Sequence, residues 1–248
     1  MSGDTNKSFW EHLDDLRALL FRLLAALAVA TVACFCFKDE LFSVVLAPSR
    51  PDFLIYRLLA GLGTPNLPAG LVNTTLGGQL MTHFKVAVGA GVVVSTPIGI
   101  YIIARYLAPA LYPKERKAMT AAFTWGTLLF FAGMATAYVI VFPFAYQFLA
   151  NYEVSSEVSN LFTLESYIDN LLLLVLLMGV LFELPVVAVL LNKMGLISSG
   201  LMKRYRRHAI LAIVTASAII TPTTDIFTLA IVSMPVCLLY ELSIHLVK

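Results

Sequence analysis

The chain has 248 residues, 59% of them hydrophobic and 13% charged, with a formal net charge of +2 and a mean hydropathy of +0.85. Soluble domains carry about a quarter charged residues, so this composition excludes a soluble globular protein, and nothing in the near-neutral charge points to nucleic acid. The apolar residues fall in runs of helix length rather than in short alternating segments. That pattern predicts a single all-α, polytopic membrane domain over 1–248 and excludes an outer-membrane barrel.

Ser8-Phe9-Trp10-Glu11 is a capping box, whose hydroxyl and carboxylate satisfy the free amides of a helix start. Phe9, Leu13, Leu16 and Leu20 recur on one face, with Glu11, Asp14, Asp15 and Arg17 polar. An amphipathic helix is predicted over 8–20, lying along the surface before the chain turns inward as a first span over 20–37. Acidic residues dominate the segment before that span and further spans follow, so it is expected to be retained rather than cleaved as a signal peptide. Residues 38–85 hold Pro48, Pro51, Pro65 and Pro68 and read as an ordered loop, whose apolar pieces at 41–46 and 54–62 are too short to cross a bilayer.

A second span is predicted over 86–105, where Ala87, Gly91, Ser95 and Gly99 form a small-residue stripe that either packs helices closely or lines a path. The uncharged run 118–150 would be about 50 Å long as a helix, against a hydrocarbon core of roughly 30 Å. The third span must therefore tilt, kink or project, with Pro143 marking a bend. The fourth, over 169–192, contains Phe182-Glu183-Leu184-Pro185-Val186. A carboxylate at that depth is costly unless it faces protein or water, so Glu183 is either a hydrogen-bonded tie between helices or a functional group, and Pro185 frees a backbone carbonyl beside it.

The last region reads as one very long helix or as two short spans, over 208–222 and 226–244. Two are preferred, because Thr221-Pro222-Thr223-Thr224-Asp225 is a turn followed by a helix N-cap. Their shortness implies local thinning of the bilayer. With the N-terminus inside, only Lys38, Arg50, Arg57 and Lys85 among the basic residues fall outside, and the two short outer loops hold none. The positive-inside rule thus favours six spans with both termini cytoplasmic.

There is no H-E-x-x-H, G-x-S-x-G or P-loop lysine pattern, so an enzyme, a metal site and a cofactor are not expected. His12, His83, His208 and His245 are scattered singly and read as interfacial or capping residues; Cys34, Cys36 and Cys237 read as small buried hydrophobes. What remains is a set of carboxylates on the inner side, Asp14, Asp15 and Glu115, with Glu183 in the membrane. Surface carboxylates can bind a guanidinium through paired charge-assisted hydrogen bonds, or merely solvate the surface.

Five blocks resemble the TatC family, the signal-peptide receptor component of the twin-arginine protein translocase. They are the segment from Ser8 to Arg17, Leu107-Ala-Pro-Ala-Leu-Tyr-Pro-Lys-Glu115, the segment from Ala137 to Leu149, Phe182-Glu-Leu-Pro-Val186, and Thr221-Pro-Thr-Thr-Asp225 through Met234-Pro235 to Glu241. They stand in the family's order and cover the chain except for the loop at 50–79. The resemblance implies six helices in a curved, glove-like bundle in a bacterial cytoplasmic membrane. It further implies binding of twin-arginine signal peptides of folded precursors, single-span partners of the TatA and TatB type, other TatC copies, and use of the proton-motive force.

Carried over by position, Glu115 is the loop glutamate that meets the signal arginines, and Asp15 stands where the family usually has glutamate, one methylene longer. Arg17 shapes that site, and Tyr106 falls where phenylalanine is usual. Pro48 and Asp225 match outer-side positions. Glu183 and Tyr138 match the intramembrane polar position and the aromatic of span three, both pointing to the concave interior. The alternative is a proton-coupled small-solute transporter with Glu183 as coupling carboxylate, which the absence of an internal repeat disfavours.

Overall fold

The computed structural model describes residues 9–58, 67, 70–107, 113–153, 155, 160–193, 195–221 and 225–247, with the backbone alone for 9–12, 107, 113–122 and 220. Within them the chain is built of helices: α1 (Phe9–Cys36), α2 (Lys38–Val45), α3 (Leu54–Leu58), α4 (Gly78–Leu107), α5 (Pro113–Thr136), α6 (Phe142–Asn151), α7 (Leu164–Leu181), α8 (Leu184–Lys193), α9 (Ser199–Arg204), α10 (Arg206–Ile220) and α11 (Ile226–Leu246). Among the described residues, the extended pairing is a single bridge between Val72 and Thr163.

Five stretches are long and apolar enough to cross a membrane: Leu13–Cys36, Gly78–Tyr106, Phe123–Asn151, Leu164–Lys193 and Ile226–Leu246. The sixth unit, α10, has 15 residues and is about 22 Å long. Several boundaries differ from the sequence expectation. The amphipathic segment and the first span are one helix, because nothing between Phe9 and Cys36 is a proline or glycine that would end the ladder. Span two starts at Gly78, within the expected loop, since Gln79 to Lys85 hold no proline or glycine and mix apolar with polar residues that all suit a helix. The polar segment after span four contains a further short helix, α9, capped by the Ser198 hydroxyl, which accepts from the Leu201 amide at 3.3 Å.

Span three is helical from Pro113 to Asn151, with a widened turn at Ala137–Val141 just before Phe142 and Pro143. Pro143 has no amide hydrogen, and its ring cannot sit against the carbonyl four residues back. Slipping in one wider turn relieves that clash without ending the helix. Pro97 poses the same problem inside α4, where the Ser95 and Thr96 hydroxyls turn back to the Val92 carbonyl at 3.2 and 2.7 Å. Span four is interrupted instead: Phe182 and Glu183 form a non-helical turn, and α8 restarts at Leu184-Pro185, where a missing amide hydrogen is harmless.

Glycines set how closely the spans approach. α1 packs on α4, and a Cβ on Gly91 would lie 3.0 Å from the Thr31 backbone. The small-residue stripe therefore serves packing at Gly91. α5 crosses α7 more closely: a Cβ on Gly133 would overlap the Met178 carbonyl oxygen and fall 2.7 Å from the Phe182 ring, while one on Gly179 would lie 2.9 Å from Met134 and Phe130. Around this crossing lies the main core, built from Val86 of α4, Val141 and Phe142, Ile168, Leu171, Leu174 and Met178 of α7, and Val232 and Val236 of α11. Ala30 is the one buried side chain of α1 among the described residues, as befits a helix with lipid on most sides. Cys36 is exposed and Cys34 and Cys237 are partly so, rather than buried, because each lies towards the outside of its helix.

Gly133→Ala is expected to lower the midpoint of thermal unfolding in detergent, since backbone must move to admit the methyl, at a cost of about 1–3 kcal/mol. Gly99→Ala, whose Cβ would meet Leu23 at an ordinary 3.5 Å, is the control and should leave the midpoint unchanged or slightly raised.

Candidate functional site

The positions singled out in the sequence fall into three groups at three depths. At the outer end, α2 runs into a 3-10 turn at Ala47–Ser49 that buries Pro48. The last carbonyls of a helix have no partner of their own, and here tyrosines supply it. The Tyr138 hydroxyl donates to the Val44 carbonyl at 2.6 Å, and Tyr167 of α7 donates to Val45 at 3.1 Å. The Tyr56 hydroxyl lies 3.1 Å from the Pro143 carbonyl and 3.3 Å from that of Pro48. Burial, reinforced by the neighbouring Tyr146, pushes the Tyr56 phenol up, so it remains a donor at any physiological pH. Phe53 meets Tyr138 edge-on at 5.4 Å. Sequence reasoning singled out Pro48 and Tyr138 but missed Tyr56 and Tyr167, whose only signal was a hydroxyl within otherwise apolar or loop sequence.

Two more contacts fix this end. Val72 donates to Phe162 and accepts from Leu164, both at 2.9 Å, which ties the two outer loops by their backbones. Lys85 of α4 pairs with Glu165 and Asp169 of α7 at 2.9 Å, so a cation near the start of a span is neutralised by the next hairpin. His83, expected at an interface, is buried, with its ring stacked on Phe35 at 4.0 Å. Asp225 caps α11: its Oδ1 accepts the Thr228 amide at 2.6 Å, where a carboxylate also complements the helix dipole.

Glu183 lies deeper, in the turn between α7 and α8. Its own backbone is satisfied, with its amide donating to Val180 and its carbonyl accepting from Val187, both at 3.0 Å. The half-buried side chain ends against Gly126 of α5. Among the described residues the carboxylate makes no hydrogen bond or ion pair. Tyr138, expected like Glu183 to point to the concave interior, stands well apart from it. Gly126 and Tyr138 stand about 18 Å apart along α5 and its extension, and the Tyr138 hydroxyl belongs to the outer end.

At the inner end, α1 and α4 run antiparallel, with Thr31 beside Gly91 and Leu23 beside Gly99. The same register carried two turns further sets Tyr106 level with Leu16, between Asp15 and Arg17. Asp15 is half-buried, Arg17 is exposed with its guanidinium 5.6 Å from the Phe21 ring centroid, and Tyr106 is half-buried in the last turn of α4. Glu115 falls in the first turn of α5, behind Pro113 at the position where proline suits a helix start. The Glu115 side chain and the loop residues 108–112 lie outside the described residues.

Helical spans of bilayer length, breaks at prolines inside two of them, and carboxylates at the inner end and at mid-depth define a multi-pass membrane protein. The family model described as "Sec-independent protein translocase protein (TatC)" matches residues 11–235. The chain belongs to the TatC family. It is 33% identical over 245 residues to the Sec-independent protein translocase protein TatC of Desulforapulum autotrophicum, covering 98% of this chain and 86% of that one. It is 32% identical over 261 residues to the TatC of a Blattabacterium from Periplaneta americana, covering 99% and 97%. Two crystal structures described as the twin arginine translocase receptor TatC superpose with TM-scores of 0.79 and 0.75 at 28% identity, the first covering 96% of this chain and 99% of its own. This chain is therefore a component of a protein translocase, and the small-solute transporter alternative is without support.

Tyr138→Phe removes one hydrogen bond to the end of α2, worth about 1 kcal/mol. Amides of α2 and the following turn should exchange hydrogen about fivefold faster, measured by mass spectrometry, with exchange in α7 unchanged. Equal exchange in both proteins would show that the hydroxyl does not hold this segment.

Proposed function

We propose that the chain is the receptor of a twin-arginine translocase in a bacterial cytoplasmic membrane, binding the signal peptides of folded precursors at its inner end. The observation that carries this reading is the antiparallel α1–α4 register, with Thr31 beside Gly91 and Leu23 beside Gly99; extended two turns inward, it would bring Asp15, Arg17 and Tyr106 to one level. With Glu115 at the start of α5, this gives the inner end two carboxylates for a pair of guanidiniums. An arginine presents a planar fork that a carboxylate meets with two parallel hydrogen bonds, whereas a lysine offers a single compact charge. Asp15 and Glu115 are the acceptors, while Arg17, drawn towards Phe21, and Tyr106 shape the site. The resemblance to structures described as a twin arginine translocase receptor supports the same reading.

The apolar stretch of the signal then inserts along the bundle wall, where Glu183 is a polar point for water or for a polar side chain of a partner. That its carboxylate has no hydrogen-bond or ion-pair partner among the described residues supports that role. The outer end, pinned by tyrosines under Pro48 and by the Asp225 cap, holds the loops that close the bundle. The work is binding and organisation rather than bond chemistry, with single-span partners of the TatA and TatB type, further TatC copies, and the proton-motive force driving transport. The distribution of basic residues places both termini in the cytoplasm.

The test is binding of the purified full chain to a signal peptide bearing Arg-Arg and to the same peptide bearing Lys-Lys. Wild type is expected to prefer Arg-Arg. In Glu115→Gln the loss of one charge-assisted pair, roughly 1.5 kcal/mol, weakens Arg-Arg binding about tenfold and narrows the preference. Equal affinity for both peptides in folded wild type would remove the receptor reading.

A further inference from the structure

Glu183 leaves the turn between α7 and α8 and reaches the flank of α5, and the residue it reaches is a glycine. A Cβ on Gly126 would lie 2.8 Å from Oε2, 3.3 Å from Oε1 and 3.4 Å from the carboxyl carbon. Both oxygens and their carbon thus rest on a bare stretch of helix, in space that any other residue would fill. The neighbours on α5 do not compete for it, since Trp125 is 64% exposed and the Thr127 hydroxyl is turned back to the Phe123 carbonyl at 3.0 Å.

Seven residues further on, two turns along the same face of the helix, Gly133 receives Phe182 in the same manner. Adjacent residues of the broken span therefore sit in two successive glycine notches of α5, but the notches differ in kind. Gly133 meets backbone, the Met178 carbonyl, and is needed for the helix crossing itself. At Gly126 the three nearest atoms all belong to the far end of a flexible side chain, that of Glu183. A methyl group there leaves the crossing intact and moves the carboxylate instead.

We propose that Gly126 is a positioning residue that holds the Glu183 carboxylate flat against α5 at mid-depth, and that this placement, not the charge alone, sets the part Glu183 plays in translocation. The second half rests on the role given to Glu183 above, and the experiment separates the two. The full chain is reconstituted in lipid nanodiscs and the carboxyl vibration of Glu183 is isolated in infrared spectra by subtracting Glu183→Gln, first in the wild-type background and then in Gly126→Ala. Export of a twin-arginine precursor is followed in vesicles containing the partner proteins.

A displaced Glu183 band in Gly126→Ala, with the thermal midpoint unchanged, is the expected result, together with reduced export that Glu183→Asp restores by drawing the carboxylate back one methylene. An unmoved band overturns the proposal whatever export does. A displaced band with wild-type export establishes the notch and overturns the functional half, while export by Glu183→Gln alone tests the role of Glu183 itself: loss of export keeps that role, and wild-type export removes it. If Gly126→Ala does not yield folded protein, Gly126→Ala/Glu183→Asp decides: recovery of folded protein supports the contact, and continued failure assigns Gly126 to packing alone.

Discussion

The close crossing of α5 and α7 is the contact on which the rest of the molecule depends. Lipid tails are as apolar as leucine, so helices gain little from hiding apolar surface and associate instead through van der Waals contact and short approach. Gly133 and Gly179 supply that approach, one receiving Phe182 and the Met178 carbonyl, the other Phe130 and Met134. Once the two helices meet there, the main core assembles around them from α4, α6 and α11. The break at Phe182-Glu183 falls next to the crossing, which is what delivers a carboxylate to the flank of α5.

A bilayer does not hydrogen-bond a backbone, so each irregularity within a span needs a local remedy. The chain shows two kinds. A widened turn precedes Pro143. At Pro185 the helix stops and restarts, with Glu183 bonded through its backbone to both sides. At the outer end, tyrosine hydroxyls play the part that water plays at the ends of soluble helices, meeting the carbonyls of Val44 and Val45.

Much of the fold was legible because its causes are local. Runs of apolar residues, Pro143, Pro185 and the Asp225 cap act on their immediate neighbours, and each left its mark where the sequence placed it. The failures concern distance along the chain. The partners of Tyr138 and Glu183, the Val44 carbonyl of α2 and Gly126 of α5, lie 94 and 57 residues away and left no mark in the sequence around either residue. Tyr56 and Tyr167 were passed over for the same reason, since a lone tyrosine does not say which carbonyl it will meet. The glycine notches at 126 and 133 were hidden within one uniform apolar run. At the inner end, Asp15, Arg17 and Tyr106 were drawn together through family resemblance alone.

The picture that joins these parts is of a signal peptide whose arginines stop at the inner end while its apolar stretch continues along the bundle to the depth of Glu183. The most direct measurement is photo-cross-linking of a signal peptide to the intact translocase in membranes, with the reactive group either beside the arginine pair or in the middle of the apolar stretch, and the attached positions read by mass spectrometry. The account predicts attachment near Asp15, Tyr106 and Glu115 from the first probe and near Gly126 and Glu183 from the second. Attachment of the apolar probe at the inner end, or of the arginine probe at mid-depth, would contradict it.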